Sequence, residues 1–344
     1  MTDKRETDLL VPDEGLVPAS TVMPGAAGPM QEASKPPRSQ WLDVWDQFKT
    51  HKGALFGAFI FVFILSSVYL GPLVWRIDPQ YLPQGRDFIT LRDTRPIWYA
   101  LFDSGAKVDW SHPLGTDNLG RDTLARMMFG GRVSIAVGLT AMLLALFLGT
   151  LVGVLAGYVK KLDGPLMRLT DLFLALPLLP LILVASLLFR EALSANFGPE
   201  GGIFILIVML IGVTSWMPTA RIVRGDVLAI KEREFVLAAR SIGTTNRNLI
   251  LRHVLPNVLS PIMVSATLGI ATAIITESAL SFLGFGFPPD FPTWGRLLND
   301  GVDRLASYPE RSILPGIMIS LTVLSVNYLG DGLRDALDPR IRGR

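Results

Sequence analysis

The chain has 344 residues, half of them hydrophobic and only 18% charged, and a mean hydropathy of +0.41, well above that of soluble domains. It has no cysteine, which excludes disulfide frameworks and thiolate metal or redox centres. Three scattered histidines, His51, His112 and His253, do not make a metal site, and a net charge of +2 points to no nucleic-acid partner.

The first 40 residues hold six prolines and six acidic residues without the apolar core of a signal peptide, so residues 1–40 are expected to form a disordered cytoplasmic tail. Trp41, Trp45 and Phe48 then fall on one helical face. That spacing predicts an amphipathic helix over 41–52 lying in the headgroup layer. The alternative is a cytoplasmic extension of the first span.

Six uncharged runs follow: Gly53–Trp75, Val133–Val159, Leu172–Phe189, Gly201–Ala220, Val254–Thr276 and Ser312–Gly330. Each approaches the roughly 20 residues that a helix needs to cross a bilayer. The third is short, so its helix is expected to begin near Pro165 and run to 189. Pro177 and Pro180 inside it read as a tolerated kink. With the N-terminus in the cytoplasm, the cytoplasmic segments carry 20 Lys and Arg against 12 outside. The positive-inside bias therefore places both termini in the cytoplasm.

Residues 76–132 form the long external excursion. His112-Pro-Leu-Gly115-Thr-Asp117-Asn-Leu-Gly120-Arg121-Asp122 is rich in turn formers. The helical spacing of Leu124, Met127, Met128 and Val133 predicts a short amphipathic helix on the outer surface ahead of the second span. Asp117, Arg121 and Asp122 read as capping and pairing residues. No Ser-His-Asp set, paired carboxylates or metal-ligand spacing accompanies them.

Between the fourth and fifth runs, residues 221–253 carry seven Lys and Arg. Arg221 to Ile242 has no proline and is expected to be helical, with Gly243 ending the helix in the left-handed conformation. A second short helix is expected over 247–252, and Pro256 suits the first turn of the fifth span. Ala238 and Ala239 leave a shallow spot for another backbone, edged by Glu234 and Arg240. Taken alone, the segment could also be a basic loop that enforces topology.

Its pattern nevertheless resembles the EAA loop of ABC-importer permeases, E-A-A-x3-G-x9-I-x-L-P. Ala238, Ala239, Gly243, Leu255 and Pro256 match in register, while Leu237 and His253 depart from it. Glu234-Phe235-Val236 and Arg252-His253-Val-Leu-Pro-Asn257 resemble the peptide-transporter branch. So do Leu114–Asp122, the Glu277–Gly286 stretch with Pro292-Thr-Trp294-Gly295, and Asn327–Pro339. The chain is identified as a member of the DppC/OppC-type permease family of dipeptide/oligopeptide ABC importers, from about Trp41 to Arg340. Tyr308-Pro-Glu310-Arg311 stands where such subunits carry bulky aromatics.

That resemblance implies an all-α integral membrane protein with six transmembrane helices, the MetI-like type I importer domain, in the bacterial inner membrane. It implies a sister six-helix permease, two P-loop ATPase subunits and an external substrate-binding protein contacting loops 76–132 and 277–311. No G-x-x-x-x-G-K-[ST] occurs, so ATP and Mg would be used by the partner subunits. No cofactor is expected on this chain. Loop 221–253 would be the coupling segment. Glu277, at the outer end of the fifth span, and Asn327, inside the sixth, are candidates for the translocation path. Each also has a plain structural reading: Glu277 reaching outside water, Asn327 bonding a neighbouring helix. A secondary transporter would show charged or broken helices at mid-membrane, and an intramembrane enzyme would cluster catalytic side chains within its spans.

Overall fold

The computed structural model describes residues 40–337. The expected tail up to residue 39 and the ending from Asp338 to Arg344 lie outside the described residues. Among the described residues every regular element is helical, with two isolated β-bridges beside them.

Helix α1 (Gln40–Thr50) leads through His51 into α2 (Lys52–Val74), where His51 Nδ1 accepts the Ala54 N–H at 3.0 Å. Val44 and Phe48 of α1 are buried against Ala54 and Ala336. Ala336 belongs to the last turns of the final helix, which runs Glu310–Leu337. The apolar face expected to lie in the headgroup layer is thus partly used inside the protein, and Trp45 is left exposed.

After α3 (Gly85–Leu91) and a 3-10 turn at Ile97–Leu101 comes α4 (Thr123–Tyr158), 36 residues without a break. At 1.5 Å per residue it is about 54 Å long, well beyond a bilayer core. The separate surface helix expected before the second span does not form. Ala125, Met127, Gly130 and Gly131 are buried, so the same apolar face simply continues from Thr123 into the span.

The third span also departs from expectation. Helix α5 (Lys160–Ala175) stops, and α6 (Leu178–Phe197) restarts. Leu176 precedes Pro177, and proline disfavours helical backbone at the residue before it. Leu176 is accordingly extended, with ψ 137°. The span is therefore α6, not a helix from Pro165. Next, α7 (Pro199–Thr214) and α8 (Met217–Ile230) meet at 42° across Ser215 and Trp216. Pro218 has no N–H to donate back to Thr214, so the helix begins again.

The helix expected over Arg221–Ile242 is interrupted at Lys231–Arg233. It continues as a separate α9 (Glu234–Ser241). In place of a helix over 247–252 stand α10 (Asn246–Leu249) and a π turn at Ile250–Val254. Then α11 (Leu255–Phe282) extends past the expected end at Thr276. Helix α12 (Trp294–Val302) and α13 (Glu310–Leu337) complete the chain, α13 outrunning the expected 312–330. Among the described residues five helices are long and apolar enough to cross a membrane, and the bent α7–α8 pair, counted as one span, makes a sixth.

The seam between α4 and α8 is a close one that a row of glycines permits. Gly149, Gly153 and Gly157 follow one another at four-residue spacing on α4. A Cβ at Gly149 would lie 2.7 Å from the Trp216 carbonyl oxygen, and one at Gly153 would lie 2.7 Å from that of Ala220. Without a hydrophobic driving force between helices in lipid, such close backbone approach is what holds them. Gly153→Leu is expected to force the pair apart at about 1–3 kcal/mol, seen as a lower thermal midpoint in detergent. Gly164→Leu, where nothing lies within 4 Å, is expected to leave the midpoint in place.

Candidate functional site

Helix α9 and the short α10 form a unit slung between α8 and α11. Gly243 takes φ +85°. Behind it Thr244 N donates to Ala239 O at 3.1 Å and Gly243 N to Arg240 O at 3.0 Å, the paired bonds that close a helix C-terminus. Val236 and Ala239 are buried with Leu249 against Ile230. Ala238 faces outward, so the two alanines do not share one shallow spot: Ala239 packs inside and Ala238 belongs to the outer face. That face also exposes Glu234, Arg240, Phe235, Leu237 and Ile242, the last 83% exposed. Tyr158, at the end of α4, donates its hydroxyl to Asn246 Oδ1 at 2.9 Å. Leu255 and Pro256 form the first turn of α11.

Helix α8 is held from the other side by ion pairs. Arg224 grips Asp163 of α5 with two nitrogens, one contact at 2.8 Å. Its hydrogen bond holds the Asp163 carboxyl below its ordinary pKa. Arg221 pairs with Asp171, and Lys231 Nζ donates to Gly157 O at 3.0 Å, at the negative end of α4.

Beside this seam lies an open cavity of about 820 Å³. Its walls are α8 and α11, with Met142, Leu174 and Leu178 behind and Arg334 and Leu337 of α13 at one end. Hydroxyls of Thr214, Thr219, Ser260, Ser265 and Thr272 line it among apolar groups, and Thr219 and Ser265 bond across α8 and α11 at 2.9 Å. These lining residues were not singled out from the sequence, because serine and threonine inside an apolar run carry no sign of which face they occupy.

The residues at the start of α4 form a clasp. Gly115 and Gly120 take φ +72° and +76°, which L side chains avoid. Asp117 Oδ1 accepts from Arg121 N at 2.9 Å, and its Oδ2 pairs with Arg121 Nε at 2.7 Å and with Arg126. Burial opposes ionisation of Asp117, but Arg126 and Arg121 outweigh it and hold the carboxyl below its ordinary pKa. Arg126, absent from the sequence expectations, is only 1% exposed. It also faces Asp300 at 3.5 Å. Asp122 caps α4, accepting from Ala125 N at 2.6 Å and from Trp75 Nε1 at 3.1 Å. Its other oxygen meets His112 Nδ1 at 2.6 Å, a hydrogen bond that raises the His112 pKa. The second loop is tied in as well. Asp93 takes Arg304 at 3.1 Å and Arg311 at 2.9 Å, and Tyr99 donates to Glu310 at 3.0 Å.

Neither polar residue expected on a translocation path lines the cavity. Glu277 does not reach water; it is fully buried, accepting from Ser281 Oγ at 2.7 Å. Helix α11 continues past it, and α12 folds back over it. Trp294, fully buried, donates its Nε1–H to Met127 O at 3.0 Å and its backbone N–H to Ser134 Oγ at 3.3 Å. Asn327 is half-buried within α13.

The family model of the binding-protein-dependent transport system inner membrane component matches residues 127–343, well over half of the chain. The chain belongs to this family. A second model, the N-terminal TM domain of oligopeptide transport permease C, matches residues 39–90. The oligopeptide transport system permease protein OppC of Bacillus subtilis (strain 168) is 34% identical over 329 residues, covering 95% of this chain and 99% of that protein. The di/tripeptide transport system permease protein DppC of Pseudomonas aeruginosa (strain UCBPP-PA14) is 38% identical over 305 residues, covering 87% and 92%. Among solved structures, a chain of the inward-facing MetNI methionine ABC transporter overlays with a TM-score of 0.49 at 17% identity, covering 61% of this chain and 95% of that one. As a binding-protein-dependent permease the protein is a multi-pass inner-membrane component and not an enzyme.

The clasp of this permease is expected to respond to pH at both ends. The raised pKa of His112 contributes stability that is complete below the ordinary value of about 6.5 and fades as pH rises through the raised one. The lowered pKa of Asp117 contributes stability present above the ordinary carboxylate value and lost as pH falls through the lowered one. Limited proteolysis of segment 76–122 is therefore expected to be slowest in mildly acidic solution and to speed up as pH rises through the raised His112 pKa. His112→Gln is expected to flatten that alkaline rise. Wild-type cleavage at one constant rate across this range would refute the assignment.

Proposed function

We propose that the chain forms one half of the translocation pathway of an ATP-driven importer of di- or oligopeptides, and that α9 with α10 is its seat for an ATPase subunit. The single observation that carries the ATPase seat is the outer face of α9. Phe235, Leu237 and Ile242 are exposed there, beyond the spans, on a helix whose inner face is already packed. Apolar groups crowded on one short helix and rimmed by charge are the usual mark of a protein contact. The peptide substrate class is suggested by the relatives, which are named as oligopeptide and di/tripeptide permeases.

In this reading α9, both termini and the basic segments lie in the cytoplasm, in keeping with the distribution of Lys and Arg. A sister six-helix subunit faces the open cavity and completes the channel. Two P-loop ATPases bind ATP and Mg, and an external binding protein delivers substrate onto the clasped loops. When the ATPases close, they push α9. The push passes along α8, which is continuous with α9 except for the turn at 231–233 and is bonded to α5 by Arg221 and Arg224. It also passes through the π turn into α11. These two helices wall the cavity, so their tilt would change which side it opens to.

The test is uncoupling. Gly243→Pro cannot adopt φ +85°, since proline is held near −65°, and it removes the N–H donated to Arg240. Ala238→Trp blocks the outer face without touching the packed one. Both are expected to cut peptide uptake at least about tenfold, a loss of about 1.4 kcal/mol of productive coupling, while the permease still inserts. ATPase that co-purifies should be lost or should hydrolyse ATP without transport. Full uptake by both variants would refute the α9 assignment.

A further inference from the structure

We propose that Asp226 and Arg334 are a recognition pair for the two charged ends of the passing peptide, Asp226 receiving the α-ammonium and Arg334 the α-carboxylate. The inference rests on the peptide-importer reading and adds to it the residues that read the substrate. Among the groups lining the 820 Å³ cavity, Asp226 and Arg334 are the only charged side chains. They stand on different walls, α8 and α13. The other cations along α8 are engaged: Arg221 by Asp171, Arg224 by Asp163, and neighbouring Lys231 by the Gly157 carbonyl. Asp226 and Arg334, in contrast, have no hydrogen-bond or ion-pair partner among the described residues.

An unpaired carboxylate on a spanning helix is costly, and it persists where it faces a water-filled path and has a task. Asp226 is half-buried, one turn before the end of α8. One acid and one base, separated and unneutralised by each other, match a zwitterion. They favour neither a simple anion nor a simple cation. A guanidinium fork suits a carboxylate. The rest of the cavity wall is mostly leucine, isoleucine, valine and proline with serine and threonine hydroxyls. Such a surface accepts varied side chains and offers hydrogen bonds to peptide groups. Recognition would therefore fall on the termini that all peptides share, not on any one side chain. This gives a role to the Asp331-Gly-Leu-Arg334 ending, which the coupling mechanism does not use.

The test uses the complete detergent-solubilised complex without its binding protein, with trialanine, N-acetyl-trialanine and trialanine amide as probes in saturation-transfer NMR. Binding-protein-driven uptake of trialanine is measured in parallel. Asp226→Asn is expected to weaken trialanine about tenfold, but not N-acetyl-trialanine, which has no ammonium to lose. Arg334→Gln is expected to weaken trialanine similarly, but not trialanine amide. Unchanged binding of all three probes in both variants would overturn the pair. So would equal weakening of all three that the charge-swapped double variant D226R/R334D restores, because the residues would then be a latch for each other. Wild-type uptake of trialanine without detectable binding would overturn the pair and leave the peptide reading standing. A wild-type complex that takes up no peptide would remove the peptide reading itself.

Discussion

The cavity wall formed by α8 depends on how closely α8 lies against α4. The approach is set by backbone: glycines at 149, 153 and 157 let carbonyl oxygens and β-branched side chains of α8 come within 2.7 Å of where a Cβ would sit. In lipid, where burying apolar surface between helices gains little, this contact and the polar bonds beside it do the holding. One face of α8, with Val223 and Val227, is thereby fixed on Val154 of α4. Its opposite face, with Ile222 and Asp226, is left to the cavity.

The two ends of the bundle are built differently. At the start of α4 a buried Arg126–Asp117 pair, a capped helix and the insertion of Trp294 tie the loops into one body. Removing one partner of such a buried pair leaves the other charge stranded, at about 3–5 kcal/mol, so this end is rigid. At the other end, helices are short, one turn is π-helical and the outer face of α9 has no cover in the described chain. A π turn in an otherwise α-helical run commonly marks a functional site. A stiff frame at one end and a loosely strung lever at the other suit a device that is driven from the lever end.

Much of this was legible in the sequence because charge is expensive in lipid: each clean apolar run is helical, four as one helix and two broken near a proline, and the spaced motifs carried the family. The Gly243 turn was also readable, since a glycine just past a helix pattern is favoured in the left-handed conformation that ends it, and Gly243 takes it. What could not be read was where helices break and which face turns inward. Pro177 and Pro218 divide helices that hydropathy shows as continuous. Glu277 sits near the end of an apolar run, yet α12 folds back and seals it. Arg126 falls in helical register with no neighbour in sequence to reveal Asp300 beside it. Asp226 is one acid in a basic loop until the cavity shows what it faces. Apart from the proline breaks, these are consequences of tertiary packing, and short-range pattern holds no record of them.

The central claim is that α9 meets an ATPase through its outer face, and the absence of native cysteine allows a direct measurement. Ala238→Cys and Ala239→Cys would each be labelled, in the assembled complex in membranes, with a thiol reagent bearing a short photoreactive arm. Ala238 lies on the outer face and Ala239 is 7% exposed. The account expects a light-dependent cross-link to a P-loop ATPase subunit from position 238 and little or none from 239. Cross-linking from neither position, with the ATPase present in the complex, or an ATPase captured only from elsewhere on the chain, would contradict it.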